Sequence, residues 1–479
     1  MVVASICDST CVRDGNADIT GHMHARTRSA SYTAASGLLL AFAFSAPAGA
    51  DEPTYSAAGI PVPSIATSLP DNGDPAGIRK SMAERGVTYN FLYTNDILAN
   101  VRGGEKRGTI DQGKLEASLS IDLGKLAGFS GLAFYSNVFE IHNTGRIRRD
   151  YVGGINTIAA IEGVPATRLS EIWLEQKLWD GRASLRFGQL AADTEFFFAG
   201  LSTLFLQSDW ATIAAANMPS GGPAYPLSTP GIRLKVDPSE QVSMLFAMFN
   251  GDPAGPGPGD EQIRNRHGLN FRVSDPPLLI AEAQHRANHA QDATDLARTF
   301  KLGGWTHFGT FEDRRFADDG TLLADPSGSG EAVRRHGNWG FYGVLEQQIH
   351  RPKGGGADSG ISVFARLSVS PSDRNDISLF ADGGVVFAGM IASRPNDKFG
   401  ASIMYSQFSN GVRAAARDQI AWSGSPTVVQ DYEMNLELTY MAQVIPGWTV
   451  QPLLTYVWHP NGESGRDAMV VGLRSYWRF

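Results

Sequence analysis

Ser170-Glu171-Ile172-Trp173-Leu174-Glu175-Gln176-Lys177-Leu178, then Trp179-Asp180-Gly181-Arg182, then Ala183-Ser184-Leu185-Arg186-Phe187-Gly188-Gln189-Leu190, is the stretch that decides the fold. In its first part Glu171, Trp173, Glu175 and Lys177 fall on one side, and Ile172, Leu174, Gln176 and Leu178 on the other. That period of two is a strand with unlike faces. The last part repeats it, with Ser184, Arg186 and Gly188 against Leu185 and Phe187. The Asp-Gly between them is a tight-turn signal, so the unit predicts an antiparallel hairpin.

Working outward, the same two-faced pattern returns in Ile232 to Val236, Ser362 to Val369, Asn435 to Ala442 and Met469 to Phe479. In the last, Val471, Leu473, Trp477 and Phe479 oppose Gly472, Arg474, Tyr476 and Arg478. A soluble sandwich would turn the polar face outward; an outer-membrane barrel turns the apolar face to lipid and the charged face to its lumen. Three features favour the barrel. Strand patterns run from residue 86 to 479 without a compositional boundary, whereas sandwiches close within one or two hundred residues. The polar faces hold long charged side chains. Aromatics recur at strand ends, as in Tyr89 to Tyr93, Glu195-Phe196-Phe197-Phe198, Tyr456-Val457-Trp458 and Tyr476 to Phe479, where they could form interfacial girdles.

The expected fold is therefore all-β, a transmembrane antiparallel barrel of about 16 strands over residues 86–479. Counting gives about seventeen candidates, one more than an even-numbered barrel can use. Short turns such as Asp237-Pro238-Ser239-Glu240 and Pro446-Gly447 alternate with longer connections at 191–229, 250–265 and 409–430. The alternation slips between 288 and 337, which places the surplus element there.

Composition agrees. The 479 residues are 42% hydrophobic and 19% charged, with 53 Gly and frequent aromatics, which fits many strands joined by many turns and excludes a bundle of membrane helices. A net charge of −8 lacks the basic surplus that phosphate backbones demand, so nucleic acid is not an expected partner. Arg26 and Arg28, the apolar run Gly37 to Phe44 and Ala48-Gly49-Ala50 form an export signal in order, which assigns residues 1–50 to a cleaved signal peptide and N-terminal extension, with Met23 an alternative start to Met1. Cys7 and Cys11, the chain's two cysteines, lie in that segment. Disulfides and thiolate metal sites are then excluded from the exported chain. Residues 51–85, rich in Pro, Ala and Ser without a hydrophobic period, read as a mobile leader.

Enzymatic motifs are absent: there is no P-loop, no H-E-x-x-H, no G-x-S-x-G and no EF-hand spacing, and no cofactor or metal is expected. His285 and His289 have Arg286 where a zinc protease needs its Glu, and read as a strand end or loop. What remains is the polar face of the strands. Arg186, Arg233, Lys235, Arg366, Arg474 and Arg478, against Glu171, Glu175 and Glu437, could set acidic and basic rows across a pore, giving a transverse field and hydrogen-bond partners for hydroxylated solutes. Such residues also simply solvate the wall of a wide barrel. Trp173, on the same face, could stack on the C–H face of a sugar ring or pack beneath an inserted loop.

Several phrases resemble one family. Leu185-Arg186-Phe187-Gly188-Gln189, Tyr225-Pro226-Leu227-Ser228-Thr229-Pro230-Gly231-Ile232-Arg233 and Phe249-Asn250-Gly251-Asp252-Pro253 are similar to the carbohydrate-selective porins of the OprB type. So are His336 to Gly343 with Glu346-Gln347, and Glu437-Leu438-Thr439-Tyr440 followed by Val450-Gln451-Pro452 and His459-Pro460. The resemblance implies a sixteen-stranded barrel in the outer membrane of a Gram-negative bacterium. It implies passive, selective diffusion of glucose and related sugars, and a constriction of inward-folded loops lined by Arg, Glu and aromatic groups. It also makes Phe479 look like an assembly signal. Outer-membrane lipid and lipopolysaccharide are the expected surroundings, with a monomer or homotrimer as the assembly. The basic cluster Arg146, Arg148 and Arg149, in the connection 143–168, either folds into the mouth or contacts lipopolysaccharide phosphates. Competing readings are a porin for small anions or organic acids, a barrel enzyme such as a phospholipase, and a secreted soluble sugar-binding β protein.

Overall fold

The computed structural model describes residues 54–208, 216–290, 293–424 and 426–479. The expected export signal at residues 1–50 lies outside the described residues. The chain forms one closed antiparallel barrel of sixteen strands. They are β1 Val87–Arg102, β2 Gly108–Asp122, β3 Leu132–Asn143 and β4 Ala166–Leu178. Next come β5 Ala183–Leu190, β6 Thr229–Val236, β7 Val242–Asn250 and β8 Pro277–Ala287. β9 is Arg298–Ala317, β10 Ala332–His350, β11 Gly360–Val369 and β12 Ile377–Ala388. β13 Lys398–Phe408, β14 Tyr432–Ile445, β15 Trp448–Trp458 and β16 Ala468–Arg478 complete it. β16 pairs with β1 in a register that sets Arg474 opposite Asp96, so no edge is left unpaired.

Where the ladder is regular, the strands read as their alternation predicts. In β14, Glu433, Asn435 and Glu437 are fully buried in the barrel interior while Leu438 is 46% exposed on the outside. Phe246, Leu302, Phe341, Leu367 and Leu473 are likewise exposed on the outer face. Among the described residues no helix is long and apolar enough to cross a membrane. A closed barrel crosses instead by pairing every backbone group of its strands internally, which hydrocarbon demands.

Connections at one end are short (179–182, 237–241, 446–447), and at the other end long (144–165, 191–228, 251–276, 409–431). In the turn 179–182, Asp180 and Gly181 both take positive φ, the conformation the Asp-Gly signal anticipates. Within the segment 288–337, β9 runs from Arg298 to Ala317 with register shifts at His307/Thr310 and Glu312/Ala317, irregularities that interrupt its alternation.

Two sequence expectations are corrected. The leader, read as mobile, is folded over its described part: Thr54–Tyr55 pairs with Pro61–Val62, and Ile78–Glu84 is a helix. Arg79 of that helix is buried, donating from Nε to the Gly59 carbonyl at 2.9 Å and from Nη2 to the Tyr89 carbonyl at 2.7 Å, with the Tyr89 ring 4.4 Å beneath its guanidinium. One cation thus ties a segment without hydrophobic period to the start of β1, something composition does not reveal. Phe196 and Phe197 are not part of an interfacial girdle either; both are buried inside the barrel, Phe197 stacked on Tyr342 at 3.7 Å. Outer aromatics do gather near the short-turn end, where Trp477 stacks between Tyr93 and Trp448 at 5.5 and 6.4 Å.

Candidate functional site

Over its described residues, 191–208 and 216–228, the connection between β5 and β6 enters the lumen, and the wall is built to hold it. At its root β4 bulges, because Ser170 and Glu171 together face the single residue Asn137, whose Oδ1 accepts the Glu171 N–H at 2.8 Å. Both side chains then point inward, and Glu171 accepts the Ala191 N–H at 3.0 Å. Two strands on, Arg186 and Arg233 stand directly opposite each other in the register of β5 and β6. Two acids bridge these like charges. Glu175 of the wall lies 2.7 Å from Arg186 and 3.3 Å from Arg233; Glu195 of the inserted connection lies 2.8 Å from Arg233 and 3.7 Å from Arg186. Burial pushes the Glu195 carboxyl up, but Arg186 and Arg233 outweigh it and hold the group below the usual carboxylate range.

The remaining wall contacts satisfy a backbone that would otherwise be stranded in the lumen. Glu282 accepts the Phe197 N–H at 3.1 Å and the Tyr342 hydroxyl at 2.5 Å. Arg366 and Lys301 donate to the Phe197 and Phe198 carbonyls at 3.1 and 2.8 Å. Glu346 accepts from Leu201 N–H at 2.7 Å, and Gln451 donates to the Leu204 carbonyl at 2.6 Å. Glu437 accepts both the Leu206 and Gln207 N–H groups at 2.9 Å.

A second connection, 144–165, meets the first. Glu433 accepts the N–H groups of Ile155, Asn156 and Asn461 at 2.7, 2.8 and 2.7 Å. Ala160 N–H donates to the Leu206 carbonyl at 2.8 Å, and the Tyr225 hydroxyl to the Ile161 carbonyl at 2.8 Å. In the basic cluster of this connection Arg146 and Arg149 pair with Asp260 of another loop, while Arg148 pairs with Glu162 of the same connection.

Two cavities adjoin where these connections touch. The larger, about 510 Å³, is lined among others by Arg148, Glu261, Gln262, Asp376, Gln430 and Asn461. The smaller, about 210 Å³, is lined by Asp193, Phe196, Phe197, Phe198, Arg366 and Arg474 among others. Ala160 and Tyr225 line both and so mark the boundary between them. Arg366 grips Asp382, its register partner on β12, and Arg474 grips Asp96 on β1 at 2.6 and 2.8 Å.

The sequence candidates now have places. Arg366 and Arg474 line the smaller cavity; Glu171 and Glu437 hold inserted backbone, Arg186 and Arg233 hold its acid Glu195, and Glu175 bridges those two arginines from the wall; Lys235 pairs with Asp237 at 3.2 Å beside a short turn. Trp173 is 7% exposed, with Arg186 3.8 Å over its ring and Tyr135 stacked at 4.9 Å, so two wall residues cover it and no open ring face remains for a solute. Acidic and basic rows facing each other across the pore are also not what forms: Glu175 with Arg186, Arg366 with Asp382 and Arg474 with Asp96 are each neighbours in register, neutralised side by side. Sequence reasoning missed Asp96, Asp382, Glu282 and Glu433, although each lies on the inward phase of a strand. It also missed Asp193, Glu195 and Tyr225, for which a loop offers no periodic signal.

The model of the family described as carbohydrate-selective porin, OprB family, matches residues 106–479. The chain belongs to this family. It is 25% identical over 425 residues to Porin B of Pseudomonas aeruginosa, covering 84% of this chain and 89% of that protein. The high-pH structure of Pseudomonas putida OprB superposes with a TM-score of 0.75 at 22% identity, covering 85% of this chain and 98% of that one. The low-pH structure of the same protein gives 0.52 at 17% identity. The porin is an outer-membrane carbohydrate channel of a Gram-negative bacterium, and its family and fold are those of a channel rather than an enzyme. Its long connections are accordingly the extracellular ones.

Proposed function

We propose that the porin passes small neutral sugars such as glucose by passive diffusion, without chemistry, and that it discriminates among them in the smaller cavity. The observation that supports this is the pairing of its two guanidiniums. Arg366 with Asp382 and Arg474 with Asp96 present donors and acceptors together with little net field, beside Asp193 and the Phe196 to Phe198 rings. A hydroxylated neutral solute exchanges hydration for such groups and leaves again; an anion would find each cation already compensated. In this reading Glu171, Trp173, Glu175, Arg186, Arg233 and Glu437 shape the constriction by holding the connection 191–228, and Lys235 solvates the periplasmic mouth. Outer-membrane lipid covers the outward apolar belt, and the Arg146, Arg148 and Arg149 cluster serves the vestibule rather than lipopolysaccharide.

Single-channel conductance with and without glucose tests the assignment. Arg366→Gln, Arg474→Gln and Asp193→Asn should weaken glucose block while leaving glycerol flux in liposome swelling nearly unchanged. Unchanged block in all three would move selection to the larger cavity. Faster swelling with an organic anion than with glucose in the unaltered porin would favour the anion reading.

A further inference from the structure

The cations of the lumen do not all meet acids. Arg366 is matched by Asp382 and Arg474 by Asp96. Arg168, on β4 opposite Phe139 and 1% exposed, instead gives its hydrogen bonds, among the described residues, to main-chain carbonyls. Nη1 donates to the Pro226 carbonyl at 2.7 Å, and Nη2 to those of Gln262 and Arg266 at 3.1 and 3.0 Å. Pro226 belongs to the connection 191–228 and the other two to 251–276, so one side chain joins two long connections to the wall. Burying a guanidinium requires that its N–H groups be satisfied. Its planar fork reaches carbonyls in two directions at once, which the compact ammonium of a lysine does not.

The same stretch of wall draws the connection 251–276 close. Leu169 N–H donates to the His267 carbonyl at 3.0 Å, and Arg266 Nη2 to the Pro165 carbonyl at 2.8 Å. Gly268 lies so near β4 that a Cβ there would meet the Leu169 carbonyl at 1.9 Å, and its φ of +66° suits glycine. Gln262 in turn accepts the Val164 N–H at 2.7 Å, which carries the tie on to the connection 144–165. What Arg168 holds in place is therefore the partition between the two cavities. Tyr225, which lines both, is bonded to the Pro226 that Arg168 grips. The Tyr225 N–H donates to Asp193 Oδ2 at 2.8 Å, and Asp193 lines the smaller cavity. Gln262 lines the larger one, and Arg168 itself lines neither.

We propose that Arg168 is a specificity-positioning residue of the channel: it sets where Tyr225 and Gln262 stand, and through Tyr225 the place of Asp193, without touching the solute. Losing the fork releases the Pro226 and Gln262 carbonyls together and lets the partition shift, so solutes that differ in size and hydroxyl placement are told apart less well. The inference rests on the reading that sugars are selected beside this partition, and adds to it a residue that makes no solute contact.

Glucose block of single-channel conductance, set beside glycerol flux in liposome swelling, tests it on Arg168→Met and Arg168→Lys. Arg168→Met should weaken glucose block roughly two- to thirtyfold, the span for side chains that act on a site through packed neighbours, and should change glycerol flux less. Arg168→Lys, which keeps the charge but not the fork, should fall between Arg168→Met and the unaltered porin. It carries the test if Arg168→Met does not give the heat-modifiable band of a folded barrel. Coupling separates positioning from general loosening. Combined with Tyr225→Phe, which gives up the bond to Ile161, Arg168→Met should lose less block than the two single losses, summed as free energies, predict. Additive losses, or a glycerol flux that changes as much as glucose block, would overturn the proposal, because Arg168 would then act on the barrel at large. Unchanged block in both Arg168 variants would overturn it too; where Arg366→Gln or Arg474→Gln still weakens block, the smaller cavity remains the selective site and only the role of Arg168 falls. If Arg168→Met weakens block while Arg366→Gln, Arg474→Gln and Asp193→Asn do not, the assignment of the smaller cavity falls and Arg168 keeps its role at the partition.

Discussion

The two halves of the stretch 191–208 of the inserted connection are held by different physics. Its first half is tied through Glu195, which shares Arg186 and Arg233 with the wall residue Glu175, a buried cluster of two cations and two anions. Its second half hangs on Glu437, whose hydrogen bonds are both to backbone N–H groups. A buried cluster of charges fails badly when one member is lost, because the others stay desolvated without compensation. A carboxylate holding two amides fails more gently, because the amides lose an acceptor but no charge is stranded. The same residue type therefore fixes one half through charge balance and the other through acceptor geometry.

Removing a cation from the first half should have the largest effect. Arg233→Met leaves Glu175 and Glu195 sharing one guanidinium, and the cost should be about 3 to 5 kcal/mol, the range for breaking a buried pair from one side. The urea midpoint of the folded band on a heat-modifiable gel should fall, and open-channel conductance should rise as the connection loosens. Glu437→Gln should be milder, about 1 to 3 kcal/mol, because the amide keeps one acceptor oxygen for two N–H donors. If Glu437→Gln costs as much as Arg233→Met, the distinction between the two halves collapses.

Legibility in the sequence follows the same division. The barrel was readable because lipid and lumen impose opposite demands on successive residues, so Arg186, Arg366, Arg474 and Leu473 take the faces that their alternation assigns. The inward phase alone could not show whom a charge would meet. Glu437 binds Leu206 and Gln207 across 231 and 230 positions of chain, and backbone N–H groups have no residue type to recognise. Trp173 was ambiguous because what covers it comes from neighbouring strands, Tyr135 directly in register and Arg186 diagonally across Gly188. The Phe196 to Phe198 run looked like a girdle because an aromatic cluster has the same composition facing lipid or facing a packed lumen.

Acid should produce the smallest effect, and it sharpens the comparison at the first half. Arg186 and Arg233 hold the Glu195 carboxyl below its ordinary value. A group depressed in the folded state contributes hold that is fully present above its unfolded value and is lost only as pH falls through the lowered one. From pH 7 to about 5, above the ordinary carboxylate range, Glu195 should stay ionised and the first half should stay in place. Glucose block should therefore show no change over that interval that Glu195→Gln removes. Below roughly pH 4 the unaltered porin should begin to lose the contact, while Glu195→Gln, which has no proton to gain there, should lack that part of the response. A drop in block between pH 7 and 5 that disappears in Glu195→Gln would mean that Arg186 and Arg233 do not keep this carboxylate charged, and the charge-balance account of the first half would fail with it.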